Sequence, residues 1–245
     1  MMPIKQVILF TFLIFSMSHA FAKREQLSIV VGLDKPPYVI QKEQSGFEIE
    51  LIRNIFKKIN IDTAFVFTQY KHSTKMLDAK YIDAVMTTNN KVFTNEAQLS
   101  DSYISYQNVA ISLKSKNLTI KRIEDLGNYS IAAFQNAEIL LGEAYYKSSK
   151  RSPLYMSTAN QSAQPQLLMK QRVDVIVLDV NIFNYMAREL GINDLNSLFS
   201  YHYVFPKTNY HIAFKDLTIK YAFNQALANY KNSAEYEVLI NKYNF

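Results

Sequence analysis

Short β-branched runs alternate with helical stretches along almost the whole of this 245-residue chain, and that alternation restricts its fold more than any other feature. Leu27-Ser28-Ile29-Val30-Val31-Gly32 is an apolar run of the kind buried in a sheet. Pro36-Pro37-Tyr38 breaks it into a loop, and Ser45-Gly46 makes a turn. Leu51, Ile52, Ile55, Phe56 and Ile59 then recur at helical spacing. Thr63 to Phe67 and Ile82 to Met86 read as strands, with a polar helix from about Ser73 to Lys80 between them. The pattern then restarts. A long strand runs from Tyr106 to Leu113, a short helix and turn follow at Ile123–Gly127, then a strand from Tyr129 to Phe134 and a helix from Ala137 to Lys147. Pro165 opens a helix through Lys170. Val173 to Asp179 is a strongly apolar strand, and the next helix, from about Asn181 to Leu190, is closed by Gly191. Val204 to Phe214 is extended, and Ser233 caps a terminal helix carrying Tyr236, Leu239, Ile240 and Tyr243 on one face. Strands separated by helices require crossover connections, so the fold class is α/β.

A weak internal echo accompanies the restart. Shifting the chain by 91 positions aligns Met76-Leu77 and Ile82-Asp83-Ala84-Val85 with Leu167-Leu168 and Val173-Asp174-Val175-Ile176. Each copy is a helix end, a polar turn and a strand that begins apolar-Asp-apolar, which suggests two lobes of related build. Asp83 and Asp174 read as turn or structural groups.

Met1 to Ala22 reads as a cleavable signal peptide: Lys5 in the n-region, apolar residues from Val7 to Phe15, and Ala20-Phe21-Ala22 before Lys23-Arg24-Glu25. The apolar run is too short to span about 30 Å of hydrocarbon. The chain has no Cys, which excludes a lipid-modified N-terminus, a disulfide scaffold, a thiolate zinc site and a cysteine nucleophile. A freely diffusing periplasmic protein is therefore expected. The net charge of +6 is too small and scattered to indicate nucleic acid, and there is no basic stripe interleaved with aromatics. His72, His202 and His211 lack metal-ligand spacing, so neither metal nor cofactor is expected.

Six pieces, in order, carry a resemblance to the family 3 periplasmic solute-binding proteins, the polar amino-acid group that serves ABC importers. They are Lys35-Pro36-Pro37-Tyr38 followed by Gly46-Phe47-Glu48-Ile49-Glu50-Leu51; Lys80-Tyr81-Ile82-Asp83-Ala84-Val85; Leu99-Ser100-Asp101-Ser102-Tyr103; Ile123-Glu124-Asp125-Leu126; Arg172-Val173-Asp174-Val175-Ile176-Val177-Leu178-Asp179; and Ala234-Glu235-Tyr236. The resemblance implies a two-lobed, type II periplasmic-binding-protein-like clamp, each lobe a mixed sheet flanked by helices. Two hinge strands, Tyr106–Leu113 and Val204–Phe214, would join the lobes. Lobe one would comprise residues 23–110 plus 206–245, and lobe two 111–205. It also implies a monomer that captures a small polar solute by hinge closure, without catalysis, and presents it to an ABC permease or a membrane sensor. A dehydratase-like enzyme on the same scaffold is the more distant alternative.

The ligand-contact candidates follow from strand ends and from the resemblance. Tyr38 lies in the loop after the first strand, where α/β sheets bind ligands. Glu48 opens the first long helix, where the macrodipole favours acid, at a position that faces the cleft in relatives. Tyr70 is a further cleft candidate, and Thr87, Thr88 and Asn89 end the third strand with groups suited to a polar oxygen. Family members hold an α-carboxylate with an Arg a few residues later. That position is Phe93 here, with Lys91 the nearest cation, which counts against a standard α-amino acid. Gln135 and Asn136 precede a helix N-terminus, an anion-friendly place. Asp179, ending an apolar strand, suits a ligand amine or a helix cap.

Overall fold

The computed structural model describes residues 26–68, 75–90, 93–158 and 160–245. The signal-peptide reading, Tyr70, Lys91, His72 and the start of the polar helix expected from Ser73 lie outside these residues. The apolar runs form two five-stranded mixed sheets. The first contains β1 (Gln26–Gly32), β2 (Asp62–Thr68), β3 (Ala84–Thr88), β4 (Ile104–Tyr106) and a late strand, β10 (Thr208–Phe214), in the order β2-β1-β3-β10-β4. The second contains β5 (Asn108–Leu113), β6 (Ile131–Phe134), β7 (Tyr155–Thr158), β8 (Val175–Asp179) and β9 (Phe199–His202), in the order β7-β6-β8-β5-β9.

The sheets share one plan. β1 pairs in parallel with β2 and β3, while β10 is antiparallel to β3 and β4. Likewise β6 pairs in parallel with β7 and β8, while β5 is antiparallel to β8 and β9. The strand expected from Tyr106 to Leu113 is divided at Gln107, where the chain leaves the first sheet for the second; it returns between β9 and β10.

Alternation along each strand sorts side chains to opposite faces. In the first sheet Ile29, Val31, Ala84, Met86, Ile212 and Phe214 share a core with Ile52, Ile55 and Phe56 of α1 (Phe47–Lys58). Val30, Val85 and Ala213 turn to the other face, against Leu77 and Ile82. The first core does not stop at the lobe boundary: it continues through Tyr38, Tyr106 and Val109 to Ile111, Ile176, Phe183 and Phe199 of the second lobe.

Several helices differ from the sequence reading. The segment expected as one helix from Ala137 is α2 (Ala137–Leu140) and α3 (Glu143–Arg151), separated by Gly142 at φ +90°. Pro165 lies in the first turn of α4 (Gln164–Met169), and Asp179 caps α5 (Val180–Glu189), which Gly191 follows at φ +79°. After the short α6 (Leu195–Leu198) comes the longest helix, α7 (Leu217–Lys231), for which the sequence reading had no counterpart. Its buried stripe of Phe223, Ala226, Leu227 and Tyr230 is blurred by Leu217 and Tyr221, which are exposed. Ser233 does cap α8 (Ala234–Tyr243), accepting from the Tyr236 N–H.

The internal echo has a physical basis. Asp83, before β3, accepts the Ser28 N–H at 2.8 Å and donates its own N–H to the Ser28 carbonyl at 3.0 Å. Asp174, before β8, accepts the Ser130 N–H at 3.1 Å and hydroxyl at 2.6 Å, and donates to the Ser130 carbonyl at 3.1 Å. Each aspartate thus pins its strand to the parallel neighbour. Replacing either by Ala should lower the unfolding free energy by about 1–3 kcal/mol, read from urea titrations, because a backbone donor loses its acceptor.

Candidate functional site

The carboxyl ends of parallel strands from both sheets converge on one cleft of about 250 Å³. The first lobe supplies Gly32, Leu33, Asp34 and Lys35 after β1, Thr87 of β3, and the rings of Tyr106 and Tyr210. The second sheet and its connections supply Asn108, Phe134, Leu140, Gln161, Asp179 and Ile182. Such strand ends are where open α/β sheets leave room for a ligand.

Behind the first wall lies a buried carboxylate. Gly46 has φ +110°, and a Cβ there would stand 2.4 Å from the Tyr38 carbonyl oxygen, so only glycine lets the chain turn back on the Tyr38 loop. The Phe47 N–H donates to the Pro37 carbonyl at 2.9 Å and the Glu48 N–H to the Tyr38 carbonyl at 3.0 Å. These bonds satisfy the open end of α1 and direct Glu48 inward. Glu48 is fully buried. It accepts hydroxyl hydrogen bonds from Thr87 at 2.6 Å and from Tyr103 and Tyr106, and the Lys35 ammonium lies 3.7 Å away. Burial first, and then the Glu48 charge, raise the Tyr103 and Tyr106 hydroxyls well above their ordinary range, so both remain donors. Lys35 also lies over the Tyr106 ring, 4.6 Å from its centroid.

Asp179 joins the lobes. Its carboxylate accepts the Tyr38 hydroxyl of lobe one at 2.9 Å and the N–H of Gln107, at the crossing, at 2.9 Å. It also accepts the N–H groups of Asn181 at 2.9 Å and Ile182 at 3.1 Å, as the cap of α5. The Asn181 amide donates to the Tyr38 hydroxyl at 3.1 Å. Burial outweighs these hydrogen bonds and pushes the Asp179 carboxyl up to about 6. The Tyr38 ring stacks on Tyr106 at 4.1 Å and 18°, with Phe245 edge-on at 5.1 Å.

Of the sequence candidates, Thr87 and Asp179 line the cleft. Tyr38 and Glu48 are fully buried behind its wall. Thr88, 1% exposed, ends β3 with its hydroxyl unpartnered among the described residues, and Asn89 lines a neighbouring cavity with Ser100 and His211. Gln135 and Asn136 are exposed beside the cleft, Asn136 in the left-handed region before α2. Phe93 is not turned toward the ligand space: it packs against the Val30, Leu77, Ile82, Val85 and Ala213 cluster, where an apolar ring gains by burial. Lys35, Tyr106, Asn108 and Tyr210 also line the cleft and are not among the sequence candidates. Lys35 lies within the Lys35-Pro36-Pro37-Tyr38 motif and Tyr106 at the start of a predicted strand, so both carry signals in the sequence that speak for the fold alone.

Residues 27–245 match the family described as bacterial extracellular solute-binding proteins, family 3. The chain belongs to this family. A search of curated protein sequences gave no match. Among solved structures, the GluR0 ligand-binding core in complex with L-glutamate is similar at 14% identity and TM-score 0.70, over 91% of this chain and 99% of that one. A histidine kinase sensor domain with similarity to periplasmic binding proteins aligns at 18% identity and TM-score 0.68, over 90% and 96%. The ancestral amino-acid-binding protein AncCDT-1, a precursor of cyclohexadienyl dehydratase, aligns at 21% identity and TM-score 0.67, over 90% and 96%. The fold expected from the sequence, a type II two-lobed arrangement of mixed sheets, is the one observed. Among the described residues no helix is long and apolar enough to cross a membrane.

Two predictions follow from the buried carboxylates. Glu48→Gln would set an amide N–H₂ against hydroxyl donors and should cost about 2–3 kcal/mol in urea unfolding. Asp179, near 6 when folded against 3.8 for the free group, holds an extra proton in the folded chain between those values. The stability it contributes is therefore present below about pH 4 and lost as pH rises through about 6, by about 3 kcal/mol in all. Denaturation series at stepped pH should show this slope in the wild type and a flatter one in Asp179→Asn.

Proposed function

We propose that this protein is an exported receptor that captures a small polar solute in the cleft between its lobes and closes on it by hinge motion. Lobe one is residues 23–110 plus 206–245 and lobe two 111–205, behind a signal peptide over 1–22 that is removed on export to the periplasm. The observation that carries this reading is the convergence of strand ends from both sheets on one cavity, with Asp179 bonded across the boundary beside it. A solute touching both walls binds the closed arrangement better than the open one, and that difference drives closure. The closed form is what an ABC permease or a membrane sensor would read. Thr87 and Asp179 line the binding space, with Tyr38 and Glu48 supporting its wall.

The role is binding rather than catalysis. Acid–base work needs a carboxyl free to exchange protons with substrate, whereas Glu48 and Asp179 are each occupied by protein donors. Phe93 packs against an apolar cluster and offers no carboxylate fork, which counts against a standard α-amino acid as the solute.

The test is a thermal-shift panel of amino acids, polyamines and small organic acids on the mature chain, followed by calorimetry of each hit. A ligand at about a hundred times its Kd should add about 2.7 kcal/mol of stability. A panel that leaves the melting temperature unmoved throughout would sink the reading.

A further inference from the structure

We infer that the cleft is built for an amine: a solute with a cationic head, an apolar body and no carboxylate. This rests on the solute-receptor reading and deepens it by naming the charge of the solute. The deciding quantity is the balance of charge around one cavity. Asp34 and Asp179 line the space, and a third carboxylate, that of Glu48, lies buried behind its wall. The lining holds a single cation among the described residues, Lys35, and its ammonium stands 3.7 Å from Glu48 Oε1. That pair accounts for one charge of each sign. Asp34 and Asp179 are left with no cation against them among the described residues. Burial holds the Asp179 carboxyl up at about 6, with hydrogen bonds but no positive charge to draw it down.

Both of these carboxylates keep acceptor capacity. Asp179 Oδ1 takes the Tyr38 hydroxyl and the N–H groups of Asn181 and Ile182, whereas Oδ2 takes the Gln107 N–H alone. A carboxylate oxygen accepts about two hydrogen bonds, so Oδ2 can take one more from a ligand while α5 keeps its cap. Asp34 is exposed, and its Oδ1 accepts the Gln41 N–H at 2.5 Å. Aromatic rings complete a seat for positive charge. Tyr106 and Tyr210 meet edge to face with centroids 4.9 Å apart, and Phe134 lines the space from the second sheet. A ring face attracts a cation, and that of Tyr106 already carries the Lys35 ammonium at 4.6 Å. Leu33, Leu140 and Ile182 supply apolar surface for the rest of the solute. A solute carboxylate fares worse. The Lys35 ammonium is committed to Glu48, Phe93 offers no charge, and Asp34 and Asp179 repel it.

The experiment uses matched sets that differ only in the charged head: 3-methylbutylamine, leucine and 4-methylpentanoate; 2-phenylethylamine, phenylalanine and 3-phenylpropanoate; agmatine and arginine. They are measured by calorimetry on the mature chain beside the wider panel, at a pH above 7, where Asp179 is ionised. The tightest binder overall should carry a cationic head and no carboxylate, and should bind about tenfold or more tighter than its carboxylate-bearing counterparts. Asp34→Asn, at an exposed position, should weaken that amine about threefold, and Lys35→Met, which removes the competing ammonium, should tighten it by a similar factor. Melting temperatures are read for both variants. The inference is overturned if the tightest binder carries a carboxylate or no charge, if Asp34→Asn fails to weaken the amine, or if a folded Lys35→Met fails to tighten it. Should Lys35→Met not fold, the ranking in the wild type and the Asp34→Asn variant decide. An empty panel defeats the solute-receptor reading itself, and is thereby distinct from a failure of the charge assignment.

Discussion

One buried carboxylate, that of Asp179, is where the separate parts of the molecule become one. It ends a strand of the second sheet, starts the helix that follows, meets the backbone at the point where the chain changes sheets, and takes a hydroxyl from the other lobe. A carboxylate can serve so many partners because it has acceptor capacity on both oxygens and can satisfy backbone groups that a hydroxyl or amide could meet only in part. Its burial is costly, and the four donors offset only part of that cost. The arrangement fixes the angle between α5 and the Tyr38 loop, and with it one side of the cleft.

The two sheets repeat the same solution. Each has a parallel trio and an antiparallel pair, and in each an aspartate before the third parallel strand takes hold of a serine in its neighbour. That correspondence was legible as an echo in the sequence because it depends on a local pattern, apolar-Asp-apolar after a turn. The parallel strands and α1 were legible for the same reason: strand alternation and helical spacing are local signals. The edge strand β7 and helix α7 were not. β7 is short and largely exposed, and α7 carries apolar residues on its outer face as well as its inner one, so neither shows a clean stripe.

The site was legible in part. Reading along strand ends located Thr87 and Asp179, since an end of a parallel strand is a position that sequence can assign. What sequence could not assign was depth. Tyr38 and Glu48 belong to the right neighbourhood, but Tyr38 is held in by ring stacking on Tyr106 and Glu48 by the hydroxyls of Thr87, Tyr103 and Tyr106, partners 39 to 58 positions away. Phe93, at the position where relatives carry an arginine, packs against an apolar cluster, because an apolar side chain takes whichever rotamer and backbone path reaches a core.

Gly46 gives the arrangement a mechanical property. Because the backbone there runs against the Tyr38 carbonyl with no room for a side chain, and because the next two N–H groups bond to Pro37 and Tyr38, the first turn of α1 and the tyrosine loop move as one piece. Tyr38, Tyr106 and Glu48 therefore form a solid bearing surface. Any parting of the lobes on this side must break the polar links from Tyr38 to Asp179 and Asn181 and divide the apolar core that runs beside them, and it leaves the bearing itself intact. The block behind the seam is stiff, so the strain of separation falls on the seam and not on the tyrosine loop.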